Sequence, residues 1–290
     1  MAGKREGLQR AKNIKNDEFY TQYADIAAEC GCYLSQLRGR TIYCNCDTDN
    51  SNFVRYFKEL KAMGWIKDIL WSGGLGGLDF RSASAVRMLQ QADIVVSNPP
   101  FSLFREYITQ LIDHDKRFLI IGNQNAVSYK WLFPLFMAGK IRIGYRPFGM
   151  MLFDVPVHET GKTYKIIDGV PKAVISALWF TNLETPERPV LNLHRTYHGN
   201  EAQYPKYDNL DAINVNRICD IPADYWGLIG VPITFLGKYN PAQFVLMGQD
   251  TDLTSNQDRC TINGNRLYAR IILRRNTVAN GNISLTALAA

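Results

Sequence analysis

An α/β fold, built on a mostly parallel sheet and followed by a smaller, mostly β region, is what this sequence predicts, and three observations carry the prediction. Short apolar runs alternate with helical patterns as far as Tyr145, at the spacing of strand–helix–strand units whose right-handed crossovers make a parallel sheet. Two of those runs, Ile94–Val96 and Phe118–Ile121, are nearly all apolar, as strands covered on both faces must be. From about Arg146 the pattern changes to strand-like segments separated by Pro and Gly.

In chain order, Arg40–Cys46 reads as a strand and Asn52–Met63 as a helix, followed by the strand Ile66–Trp71 and the helix Ser82–Gln91. Asp93–Ser97 and Arg117–Ile121 are strands around the helix Leu103–Ile112, in which Leu103, Tyr107, Leu111 and Phe104, Ile108, Ile112 form one core-facing stripe. Tyr129–Ala138 reads as a further helix before the strand Lys140–Tyr145. Beyond it, strands are expected at Met150–Val155, Ala173–Phe180, Ala212–Val215, Ile233–Leu236, Phe244–Met247 and Leu267–Leu273, with a long loop at Tyr197–Asp211. Ala173–Phe180 suits the last strand of the first domain, so the expected boundary lies at residue 183, dividing 1–183 from 184–290.

Hydrophobic residues make up 46% and charged residues 21% of the 290, ordinary usage for a folded protein without repeats or low-complexity tracts. The longest apolar runs fall far short of the ~20 residues that cross a bilayer, and the polar N-terminus resembles no secretory signal, so a cytoplasmic location is expected and no membrane partner. Six cysteines are too few for a disulfide scaffold. The net charge of +6 lies wholly in the first half, where residues 1–150 carry 20 Lys and Arg against 14 Asp and Glu. Lys4, Arg5, Arg10, Lys12 and Lys15, in a basic arm spanning residues 1–16, suit either phosphate contact or a solvated terminus.

The most informative stretch is Ser97-Asn98-Pro99-Pro100-Phe101, where a buried strand meets two prolines that cannot continue a ladder. Each proline disfavours helical backbone in the residue before it, so Asn98 and Pro99 are held extended at a strand's carboxyl end, where open α/β sheets bind ligands. The Asn98 side-chain oxygen and a proline carbonyl then form a preset pair of acceptors beside the Phe101 ring. An exocyclic amine on a planar base fits them: two N–H donors are met while the aromatic ring stacks on the base. Such bonds localise the nitrogen lone pair and support in-line attack on an activated methyl group, with positioning as the main source of catalysis.

Asn98-Pro99-Pro100-Phe101 resembles the catalytic motif of amino-methyltransferases that use S-adenosylmethionine, in the Phe form typical of adenine-N6 enzymes acting on DNA. Asn16–Thr21, Cys44–Asp47 with Ser51–Phe53, Asp79–Ser82 and Gly230–Leu236 resemble, in order, segments of the EcoRI-type adenine-specific DNA methyltransferase family. The likeness runs from about Asn16 to Gly248. It implies a Rossmann-like class I methyltransferase sheet with a C-terminal target-recognition region, S-adenosylmethionine as cofactor and double-stranded DNA as partner, in a bacterial or phage setting that allows for a restriction-endonuclease counterpart. It further implies that Tyr20 and Thr21 cradle the cofactor's carboxylate and that Asn45 and Asp47 replace the usual glycine-rich loop, with Asp47 facing the ammonium group. Cys44 packs beside the cofactor in this reading, Asp79 accepts from the cofactor's adenine amine, and Phe80 covers its ring. Access to N6 requires base flipping.

One departure concerns the ribose: the strand at Ile66–Trp71 ends in Ser72-Gly73-Gly74-Leu75-Gly76-Gly77 with no acid for its hydroxyls, and Asp68 lies at the strand's other end. The same motif chemistry also suits an RNA adenine or a protein glutamine amide, and a non-catalytic nucleic-acid-binding relative is the remaining alternative. Cys30-x-Cys32 and Cys44-x-Cys46 are spaced too closely for ordinary zinc pairs, and His114, His158, His194 and His198 are scattered, so no metal is expected. Arg266, Arg270 and Arg274 fall on one face if strand alternation holds through Leu267–Leu273, where they suit either phosphate contact or protection of an edge strand.

Overall fold

The computed structural model describes residues 20–72, 79–146, 148–154, 164–255 and 257–276. The chain divides into two compact units, Met1–Gln124 with Ile141–Thr185, and Asn125–Lys140 with Pro186–Ala290. The segment expected to hold the helix Tyr129–Ala138 therefore belongs with the C-terminal unit. Only Phe133–Met137 of it is α-helical, after a 3-10 turn at Gln124–Ser128.

In the first unit, β1 (Tyr20–Thr21) leads to α1 (Tyr23–Cys30) and α2 (Leu34–Leu37). Then come β2 (Thr41–Cys44), α3 (Asn52–Ala62), β3 (Asp68–Trp71), α4 (Ala83–Gln91), β4 (Ile94–Ser97), α5 (Phe104–Asp113) and β5 (Arg117–Asn123). Helices α3 and α4 start where short hydroxyl side chains satisfy orphan N–H groups: Ser51 accepts from Val54 at 3.2 Å and Ser82 from Ala85 at 3.3 Å. After α6 (Phe133–Met137), the strands β6 (Arg142–Ile143), β7 (Met150–Asp154), β8 (Tyr164–Ile167) and β9 (Val170–Thr181) complete the sheet.

The strand order is β1-β7-β9-β5-β4-β2-β3, with β6 and β8 also on β9. Strands β3, β2, β4 and β5 run parallel, and β9 adds to β5 antiparallel. Met150–Asp154, one of the strand-like segments after Arg146, thus belongs to the first sheet. This is the Rossmann-like arrangement, and its strand order reverses between β2 and β4, the point at which such sheets leave a ligand crevice. Ile94, Val95, Val96 and Phe118–Ile121 are fully buried, each large side chain contributing about 1.5–3 kcal/mol of burial. Gly122 lets the sheet and α5 meet closely, since a Cβ there would lie 2.4 Å from the Phe104 ring.

The second unit holds a four-stranded sheet in the order β10 (Ala212–Asn214), β11 (Leu228–Pro232), β15 (Arg270–Arg275) and β12 (Phe244–Gln249). The short helix α7 (Asp250–Leu253) follows β12, and β13 (Thr261–Ile262) and β14 (Asn265–Arg266) form a separate hairpin. Two strand expectations change here. Ile233–Leu236 lies in a 3-10 turn, Ile233–Lys238, because the strand runs earlier and ends at Pro232. The terminal strand begins at Arg270, so Arg266 sits on a different strand. Among the described residues no helix is long and apolar enough to cross a membrane.

Candidate active site

The crevice at the carboxyl ends of β2 and β4 is assembled from two turns. Ser97 ends β4 fully buried, and its hydroxyl donates to Asp47 Oδ2 at 2.7 Å, across the switch point. Asn98 follows half-buried, Pro99 is buried, and Phe101 opens a 3-10 turn, Phe101–Leu103, that leads straight into α5. The Pro100 carbonyl accepts from Leu103 N–H at 3.0 Å, which closes the 3-10 turn. Phe101 packs on the main core with its ring partly exposed.

On the β2 side, Asn45 is fully buried, yet among the described residues neither its Oδ1 nor its Nδ2 has a hydrogen-bond partner. Asp47 is also buried, and desolvation pushes its carboxyl up to about 6 although the Ser97 and Ser51 hydroxyls oppose the shift. Among the described residues no cation pairs with it. Thr21 is tied to the start of α3 by Asn52, which donates to its carbonyl at 2.9 Å, and its buried Oγ1 is another polar atom with no partner among the described residues. Unsatisfied buried polar groups are costly and uncommon in folded proteins. A carboxylate lacking a cation, an amide and a hydroxyl beside the positive end of a helix fit a ligand that carries both an ammonium and a carboxylate group.

The other expected cofactor residues are placed less directly. Tyr20 pairs β1 with Asp154 of β7 and is largely exposed. Asp79 lies close enough to Cys46 to raise that thiol, but both its oxygens are held by Arg81, at 2.9 Å to Nε and 2.6 Å to Nη2, and this contact lowers its carboxyl. A ligand amine there must compete with Arg81. Phe80 is buried, edge-on to Tyr107 with centroids 5.0 Å apart, and the Arg81 guanidinium lies 5.3 Å above its ring. Its face is thus partly taken. Cys30 and Cys44 belong to the apolar core, and burial pushes both thiols up. Residues 73–78, expected to flank the ribose, lie outside those described, and Asp68 stands at the start of β3 bound to Lys61.

Of the cationic positions, Lys4, Arg5, Arg10, Lys12 and Lys15 lie outside the described residues. Arg270 is not on the surface: it is buried, with Nε donating to Asn214 at 3.2 Å and Nη2 to Asn216 at 2.7 Å. The turn between β14 and β15 breaks the assumed alternation, and Arg270 serves the fold of the second unit instead of a phosphate. Arg266 is exposed and paired with Asp258 at 2.7 Å, and Arg274 is exposed on β15.

A family model described as the adenine-specific methyltransferase EcoRI matches residues 7–69 and 65–282. The chain belongs to this family. The protein named Type II methyltransferase M.EcoRI, from Escherichia coli, is 42% identical over 313 residues, covering 92% of this chain and 95% of the relative. M.MpnI from Mycoplasma pneumoniae is 35% identical over 92% of this chain and 98% of its own length. M.MgeORF184P from Mycoplasma genitalium is 37% identical over 93% of this chain and 99% of its own. In this EcoRI-type methyltransferase, sequence reasoning missed Ser97, because a serine closing an apolar strand carries no signal of its own. Its hydrogen bond to Asp47 becomes visible only when β2 and β4 are seen as neighbours.

Proposed function

We propose that this chain is a site-specific DNA adenine methyltransferase, acting in the cytoplasm on N6 of an adenine flipped out of double-stranded DNA, with S-adenosylmethionine as cofactor. The observation that carries the reading is the Ser97–Asp47 hydrogen bond at the switch point, which sets the Asn98-Pro99-Pro100-Phe101 turn directly beside a buried carboxylate that no described cation pairs with. Membership of an adenine-specific family supports it.

Asp47 would hold the cofactor's ammonium group, Thr21 and Asn45 its carboxylate end, and Asp79 and Phe80 its adenine moiety, with Tyr20 and Cys44 at the margins. When bound, the cofactor supplies a methyl group activated by a sulfonium charge. The chain's own residues do the rest by placement. Asn98 Oδ1 and the Pro99 carbonyl accept the two hydrogens of the target N6 amine, which localises the lone pair, and Phe101 stacks on the flipped ring. Fixing the amine in line with the methyl group converts an encounter into a positioned reaction. Recognition falls to the C-terminal unit, because the short span between the cofactor turn and the catalytic turn leaves no room for a reading domain. Arg274, Arg266 and the basic arm are the proposed phosphate contacts, and a restriction endonuclease is the proposed counterpart.

Incubation with methyl-labelled cofactor and duplex DNA is expected to put label on N6 of adenine at one sequence. Label on RNA or protein, or none on DNA, would overturn the proposal.

A further inference from the structure

Resting on the reading of the Asp47 crevice as the cofactor site, we propose that Ser97 is a positioning residue, whose hydroxyl aims the Asp47 carboxylate at its ligand and couples that turn to Asn98. Ser97 is fully buried at the end of β4, in register with Ile120 of β5, so its backbone is fixed by the sheet. Its hydroxyl donates to Asp47 Oδ2 at 2.7 Å. One peptide further on stands Asn98, and the two prolines after it remove most of the backbone freedom that could absorb a displacement. A shift at Ser97 is therefore passed to the acceptors that meet the target amine.

The surroundings leave Ser97 little competition in this role. Asp47 is faced by Ser51 at the start of α3, by Cys44 at the end of β2, by Cys46 on its own turn, and by Tyr107 of α5. Burial holds the two thiols and the phenol in their neutral forms, and no described cation pairs with the carboxylate. The Ser97 and Ser51 hydroxyls are the two side-chain donors that favour its charged form, and Ser51 also caps α3 by accepting from Val54. Of the two, Ser97 is the one that adjoins Asn98.

Cofactor binding to the full chain, followed by calorimetry between pH 5 and pH 8, tests the proposal. Ser97→Ala is expected to weaken binding roughly tenfold or more near neutral pH and to move the acid limb of the binding profile upward by about one pH unit. Ser97→Thr, which keeps the hydroxyl, is expected to restore the position of that limb. In an Asp47→Asn background Ser97→Ala is expected to change binding little further, a comparison that holds even if the alanine variant melts somewhat lower. An unchanged pH profile in Ser97→Ala, or a full additional loss in the Asp47→Asn background, would overturn the role of Ser97. Failure of the unaltered chain to bind the cofactor at all would instead overturn the reading of the crevice.

Discussion

Each unit of the molecule buries an aspartate beside the end of a strand, and the two are completed differently. Asp250, in the C-terminal unit, is fully buried and receives Arg259 Nη1 at 2.7 Å together with the N–H groups of Thr251 at 3.0 Å and Cys260 at 3.3 Å. Asp47, in the first unit, is held by serine hydroxyls with no described cation, and burial has pushed its carboxyl up to about 6. A buried charge that the chain pairs within itself is part of the scaffold. One that no described cation pairs with marks a candidate ligand site.

Substitutions can break or sharpen that contrast. The largest effect is expected from Asn98→Ala, which removes the proposed acceptor for the target amine and should lower the methylation rate about 10²–10³-fold while cofactor affinity holds, as measured by single-turnover label transfer. Arg259→Ala strands Asp250 without its cation and should cost the fold about 3 kcal/mol or more in denaturant unfolding, with little change at Asp47. Asp47→Asn should act in the opposite sense on the cofactor-free protein. Because the folded carboxyl titrates above its ordinary 3.8, its contribution is fully present below about pH 4 and is lost as pH rises through about 6. The asparagine variant should therefore match the unaltered chain near pH 4 and exceed it by up to about 3 kcal/mol at pH 7.5, a difference read from melting curves across pH. The smallest effect is expected from Arg274→Ala, at the one exposed position of β15. It should leave stability within about 0.5 kcal/mol and reduce the salt dependence of DNA binding by about one phosphate contact.

The sequence made the parallel core legible because its strands are apolar on both faces, and Ile94–Ser97 falls within one residue of its expected start. The turn at Asn98–Phe101 was legible as a candidate site because two prolines after a buried strand have few structural uses. What escaped depended on which neighbour each side chain or segment finds once folded, near in the chain or far. Arg270 reads like Arg266 and Arg274, yet Asn214 and Asn216 draw it inward. Asp79 presents as a free acceptor until Arg81, two residues on, closes around it. Pro232 ends β11 where an apolar run suggested that a strand began. Segment Asn125–Lys140 follows the last parallel strand in sequence but packs with the other unit, a choice that no local pattern encodes.

The most direct test of the contrast between the two aspartates is the stabilisation that S-adenosylmethionine gives to the unaltered chain and to Asp47→Asn, followed by thermal unfolding at pH 5 and pH 7.5. With cofactor at 100 times its dissociation constant, the unaltered chain should gain about 2.7 kcal/mol at pH 7.5 and much less at pH 5, where Asp47 is protonated before binding. Asp47→Asn should gain little at either pH. Equal stabilisation of both proteins, with the same pH dependence, would contradict the assignment of Asp47 as the carboxylate that waits for its cation.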